Sequence, residues 1–247
     1  MKLGIYADGF GCSLTKWSFK DYATLKSHLG LSWVEILEKN YDIVNYSKQA
    51  VSFLELYDTY RKTKHKQDIN ILIAPTVIRV FVKELPHIFF LNAEFVMSEI
   101  QRIERGEDYY EKNEELSILR SVYVYMTQWR DIGLETEIQH IIISECLDVD
   151  KNLFVVKGAD NSTPFPGVSL ESLSIGELKL IDASFTLEKL KLDQRKCFLS
   201  EENNLSLAEL LLESINKQNN RVIITEHAMR TPSKSLDHYV GTIYEKS

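Results

Sequence analysis

Apolar and polar positions follow two rhythms along this chain. Wholly apolar runs of strand length alternate with stretches where apolar residues return at the three-to-four spacing of an amphipathic helix. Leu3 to Ala7 is the first apolar run. Trp33, Val34, Ile36 and Leu37 then recur at helical spacing within Leu31 to Lys39, with Ser32 available as N-cap. Tyr41 to Asn45 reads as a second strand and Val51 to Tyr60 as a second helix, with apolar Phe53, Leu54, Leu56 and Tyr57; Ile69 to Ala74 reads as a third strand. Strands separated by single helices pair in parallel with right-handed crossovers, because each helix supplies the return path.

Beyond Pro75 the pattern changes. Phe89 to Arg105 and Glu114 to Arg130 both read as helices, the second with apolar Leu116, Leu119, Val122, Tyr123 and Met126. The run Ile138 to Ile143, within Glu137 to Ser144, predicts a fourth strand, and Leu153 to Val156 a fifth. A Gly-, Pro- and Ser-rich loop follows from Gly158 to Ser169. Ser200 is placed to cap a last helix whose core stripe is Leu205, Leu207, Ala208, Leu211, Leu212 and Ile215, and Arg221 to Thr225 is a final candidate strand. The expected architecture is α/β: a three-layer sandwich around a central, mostly parallel five-stranded sheet. It forms one domain over residues 1–247, with a helical insertion at about 86–131 and a polar tail at about 228–247.

Composition narrows the possibilities. Of 247 residues, 44% are hydrophobic and 26% charged, the balance of a globular protein with a sizeable core. A net charge of −7 gives no broad positive field for a phosphate backbone, so nucleic acid is not an expected partner. The one basic cluster, Arg61 to Lys66, falls where a helix should end, and cations favour helix C-termini. Three widely spaced cysteines, Cys12, Cys146 and Cys197, fit neither a disulfide framework nor a metal site. No apolar run approaches the ~18 residues that would span a bilayer, and no leader opens the chain, so a soluble protein of a reducing cytoplasm is expected. No glycine-rich nucleotide fingerprint is present, and no cofactor is expected.

The junction at residues 8–13 is the first candidate site. Open α/β sheets bind ligands beyond the carboxyl ends of their strands, and here the first apolar run, Leu3 to Ala7, leads into Asp8-Gly9-Phe10-Gly11-Cys12-Ser13. With Gly4-Ile5-Tyr6-Ala7-Asp8-Gly9-Phe10, the helix at Trp33 to Leu37, the block Tyr41 to Ser52 and the segment Asp193 to Asn204 before the last helix, the chain resembles the SGNH (GDSL-type) hydrolases. The likeness is to the short members common in tailed phages. It implies an SGNH/flavodoxin-like fold, a viral origin, and a location in a host cytoplasm or a virion.

The departures from the family pattern carry the functional expectation. Where the family has its nucleophilic serine the chain has Gly9, and where it has its catalytic histidine, after the matching Asp193, the chain has Phe198. The oxyanion-hole glycine corresponds to Ala50, and the strand end that should present an asparagine reads Ile73-Ala74-Pro75-Thr76. Glycine offers no nucleophile and phenylalanine can neither take nor return a proton, so the acyl-enzyme route lacks both essential parts. The resemblance therefore implies a catalytically inactive relative that acts as a binding or structural protein. The alternative is an active esterase or carbohydrate deacetylase with a relocated nucleophile, Ser13 or Cys12, and a relocated base, His227 or His87. No pair of the six histidines has ligand spacing, so a metal site is not expected. Another protein, from virion or host, is the expected partner, through Tyr109, Tyr110, Tyr125 and Trp129 of the helical insertion. The plainer reading of Tyr123 and Trp129 makes them partly core.

Overall fold

Leu3, Ile5, Tyr6 and Ala7 have no exposed surface, which makes the first strand, β1 (Lys2–Tyr6), a central one. In this computed structural model, which describes residues 1–8, 31–48, 51–77, 79–80, 82–85, 92–106, 112–173, 199, 201–225 and 227, β1 is flanked by β2 (Asp42–Asn45) and β3 (Ile69–Ala74). Next to β3 come β4 (Leu153–Lys157) and then β5 (Arg221–Val222). All four pairings are parallel, and the order is β2-β1-β3-β4-β5.

Both faces of the sheet are buried, which explains why the strands read as continuous apolar runs rather than as alternating ones. Leu3, Ile5, Ile71, Ile73, Phe154 and Val156 point to one face. There they meet α1 (Trp33–Leu37), α6 (Leu170–Leu173) and α7 (Glu201–Asn216). Tyr6, Leu72, Ala74, Leu153 and Val155 point to the other, against α2 (Phe53–Thr63) and α5 (Ile132–Val149). The result is a three-layer α/β sandwich. Local signals support it: Ser32 and Glu35 form a capping box at α1, and Ser52 caps α2 by accepting from Glu55 N. The basic cluster ends α2 and forms a 3-10 turn, Lys64–Lys66, where Lys64 pairs with Asp150 at 3.4 Å.

Two further helices, α3 (Ala93–Glu104) and α4 (Lys112–Val124), pack on each other around a separate small core of Val96, Ile100, Ile103, Leu119 and Val122. α4 runs on into a π-helical turn, Tyr125–Trp129. Both helices lie between β3 and α5 in the chain.

The expected fourth strand at 138–143 is instead part of α5. Asp131 caps that helix by accepting from Leu134 N at 3.1 Å. Its buried residues, Gln139, Ile143 and Leu147, follow one another every fourth position, whereas Ile141 is 57% exposed. A strand there would also leave only residues 144–152 to return to β4, too short for a parallel crossover of a dozen or more residues. α5 is that crossover, and Arg221–Val222 supplies the fifth strand. In α7 the stripe holds except at Leu205, which is exposed. Its expected cap, Ser200, lies outside the described residues.

Candidate functional site

The order β2-β1-β3-β4-β5 reverses direction between β1 and β3, and in open sheets the crevice beyond the strand ends at such a switch point is where ligands bind. Asp8 follows β1 there. Arg79, five residues past the end of β3, reaches across and donates from Nη1 to Asp8 Oδ2 and, at 3.3 Å, to the carbonyl of Val51. The pair is enclosed: the Arg79 side chain is 7% exposed and that of Asp8 14%. Among the described residues Arg79 Nε has no hydrogen-bond partner.

Beside this pair opens a cavity of about 630 Å3, within the range of small-molecule sites. The N-terminus of α2 contributes Phe53 and Leu54 to its walls, the segment after β3 Val77, Val80 and Val82, α4 Ile118 and Val122, and α5 Ile138. The polar lining consists of Arg79, Gln139, Glu135, Tyr125 and the serines Ser52, Ser117 and Ser121. Gln139, buried on α5, donates from Nε2 to the carbonyls of Pro75 at 2.9 Å and Ser162 at 2.8 Å. Two carbonyl acceptors fix which end of the amide is nitrogen, leaving Gln139 Oε1 buried and without a partner among the described residues. Arg130 donates to Glu135 at 2.9 Å and to the carbonyl of Val77 at 2.6 Å, so it ties the segment after β3 to α5 and holds that wall. Tyr125 donates to the same Glu135. Partial burial, then that hydrogen bond and the carboxylate charge, push the Tyr125 phenol up to about 12, so it stays a donor at neutral pH.

Of the residues singled out from the sequence, Asp8 and Thr76 flank the switch point, Thr76 half-buried after Pro75. His227 lies exposed beyond β5. Gly9, Cys12, Ser13, Ala50, His87, Asp193 and Phe198 lie outside the described residues, as do Tyr109 and Tyr110. Tyr125 and Trp129 are exposed, Trp129 at 74%, so Trp129 is not core; Tyr123 is half-buried against the insertion's own cluster. Both exposed aromatics line a second concavity of about 620 Å3 on α4 with Leu116, Arg120 and Val124. Cys146 is half-buried, and burial raises its thiol above the usual range, away from a reactive thiolate. Among the described residues no cluster of three or more metal-ligating side chains occurs, and no helix is long and apolar enough to cross a membrane.

Arg79 and Gln139 were missed because their neighbours hid them. Arg79 sits inside the apolar run Val77 to Val82 and Gln139 inside a run of isoleucines. A polar residue in the middle of such a run was the available signal, since burying it demands a partner.

No protein-family model matches the chain, and neither the curated proteins nor the solved structures gave a match. Fold and site define its class, an α/β protein with an all-parallel five-stranded sheet and a cavity at the carboxyl end of that sheet.

Proposed function

We propose that this protein is a non-catalytic binding protein on an SGNH-like scaffold, working in a cytoplasm or a virion and holding a small ligand beside Arg79. The observation that carries this reading is the cavity of about 630 Å3 next to an enclosed, self-neutralised ion pair at the β1/β3 switch point. Such a place suits binding better than hydrolysis, because Asp8 and Arg79 already satisfy each other's charge. Gly9 and Phe198, at the positions where the family has its serine and histidine, support it from the sequence side.

The test is ester hydrolysis. Purified protein incubated with p-nitrophenyl acetate and with an acetylated sugar is expected to release no product above the buffer rate. Release that disappears in Ser13→Ala or Cys12→Ala, with the fold retained, overturns the reading in favour of a hydrolase with a relocated nucleophile and His227 or His87 as base.

Trp129, exposed beside Tyr125, Val124 and Ile132, supports adding a protein partner from virion or host at the end of the helical insertion. Trp129→Ala is expected to leave thermal unfolding unchanged and to abolish the pull-down of that partner. A pull-down indifferent to Trp129 removes this part of the reading.

A further inference from the structure

We propose that the outward face of α5 docks a basic amphipathic helix of a partner protein. This face is separate from the Asp8–Arg79 pair and from Trp129, so the proposal goes beyond the reading above.

α5 is apolar on two opposite sides. Ile143 and Leu147 are buried against the sheet. Leu134, Ile138 and Ile141 are 54%, 44% and 57% exposed. Their spacing, four residues and then three, returns each side chain to one line along a helix, so the three form a single row. Hydrophobic residues exposed singly are ordinary, whereas a row in register marks an interaction face. Leu54, exposed at the N-terminus of α2, widens the row beside Ile138, since both line the same cavity. A helix that is apolar all round is normally covered all round.

The row continues as acid. Glu145 and Asp148 take the next two positions at the same spacing, and Glu137 lies four residues before Ile141; all three are exposed. α5 has no basic residue in its last turn, where the helix end is itself negative and cations are favoured. Among the described residues Glu137 and Glu145 have no ion-pair partner. Arg221 comes only within 3.8 Å of Asp148, with both side chains more than half exposed. Lys151, just past the helix, donates to the carbonyl of Leu147 at 3.2 Å. The complement is therefore an apolar stripe opposite Leu134, Ile138 and Ile141, with cations opposite Glu137, Glu145 and Asp148. An amphipathic helix with leucines at the same spacing and lysines or arginines flanking them supplies both.

A second copy of the chain supplies only the first. Antiparallel pairing of two α5 helices about Ile141 sets Glu145 and Asp148 against Ile138 and Leu134, burying carboxylates without a cation. Parallel pairing sets Glu145 against Glu145. A bilayer with anionic headgroups would meet the same carboxylates with like charge.

The experiment uses the full chain and three labelled peptides of about eighteen residues, long enough to form a helix on binding. One has leucines at the row spacing and lysines elsewhere, one replaces the lysines with glutamates, and one scrambles the first so that no stripe remains. Binding is followed by fluorescence anisotropy at concentrations where the peptides are monomeric. Saturable binding of the leucine–lysine stripe is expected, with the other two weaker by about tenfold or more. Ile141→Lys puts a cation four residues from both Glu137 and Glu145, which leaves the helix itself supported. It is expected to weaken that peptide about tenfold or more with the unfolding temperature unchanged. The double variant Glu145→Lys with Asp148→Lys is expected to weaken it likewise and to strengthen the leucine–glutamate peptide.

No saturable binding, a scrambled or glutamate peptide that binds as tightly, or an affinity indifferent to both variants overturns the proposal. So does sedimentation of the unmodified protein as a dimer that Ile141→Lys dissociates, which assigns the face to a second copy. Flotation with phosphatidylserine vesicles that the same variant abolishes overturns it too, in favour of a membrane surface.

Discussion

Arg79 and Asp8, 71 positions apart in the chain, meet as an enclosed ion pair across the carboxyl ends of β3 and β1. Two long-range facts are joined by it: the parallel pairing of β1 with β3, and the position of the segment that walls the cavity. Removing one partner leaves a charge in a site that water barely reaches, so Arg79→Met is expected to cost about 3 kcal/mol. The double variant Asp8→Leu with Arg79→Met is expected to recover most of that loss. Urea denaturation of the two single variants and the double variant measures the coupling, and strictly additive losses would show that the pair does not act as a unit.

The helical assignment of α5 has its own test. Ile143 is buried under the sheet and Ile141, two residues earlier, is 57% exposed. In a strand the two side chains would share one face and respond alike. Ile143→Ala is expected to cost about 2–4 kcal/mol and Ile141→Ala within about 0.5 kcal/mol, both read from denaturation midpoints. Similar losses for the two would restore the strand.

Gly158, just past β4, packs so closely on the end of β3 that an added Cβ would lie 2.5 Å from the carbonyl oxygen of Ala74. That oxygen accepts the Gly158 N–H at 3.1 Å, so neither backbone can retreat without losing the contact. Gly158→Ala is expected to destabilise by about 2 kcal/mol through overpacking. An unfolding temperature equal to that of the unmodified protein would show that the strand ends can separate freely.

Tyrosines beneath the sheet make stability sensitive to base. Burial above all raises the Tyr6 phenol from 10.0 to about 12, against the lowering effect of its hydrogen bond with Thr63. Tyr60 is pushed higher still, first by burial, then by its 2.6 Å hydrogen bond to Asp150 and the charge of that carboxylate. Unfolded tyrosines ionise near pH 10. The folded pKa values are raised, so this contribution is fully present below pH 10 and is lost as pH rises toward 12. Thermal unfolding across about pH 9 to 12 should show the fall, with a shallower slope in Tyr60→Phe; identical slopes would assign the fall to other groups.

Much of the fold was legible because it depends on local rules. β1, β2, β3 and β4 appear within a residue or two of where apolar runs predict them, and Ser32 caps the helix it precedes. The run at 138–143 misled because isoleucine favours strands locally. Its neighbours decided otherwise, through the Asp131 cap and the fourfold spacing of Gln139, Ile143 and Leu147. Of the candidate site, Asp8 was visible as the polar residue that ends a buried strand. Arg79, Gln139 and Arg130 were not, since nothing near them in the chain announces the groups they meet.

The sequence by itself determined the α/β class and the parallel pairing of the strands it predicted. Each follows from periodicity or from the length of the connections, and these are properties of contiguous residues. The tertiary structure alone decided the strand order, the pairing of Asp8 with Arg79, and the cavity beside that pair. Those depend on which distant segments are packed against one another, and packing is set by the summed burial of all three layers rather than by any one stretch of chain.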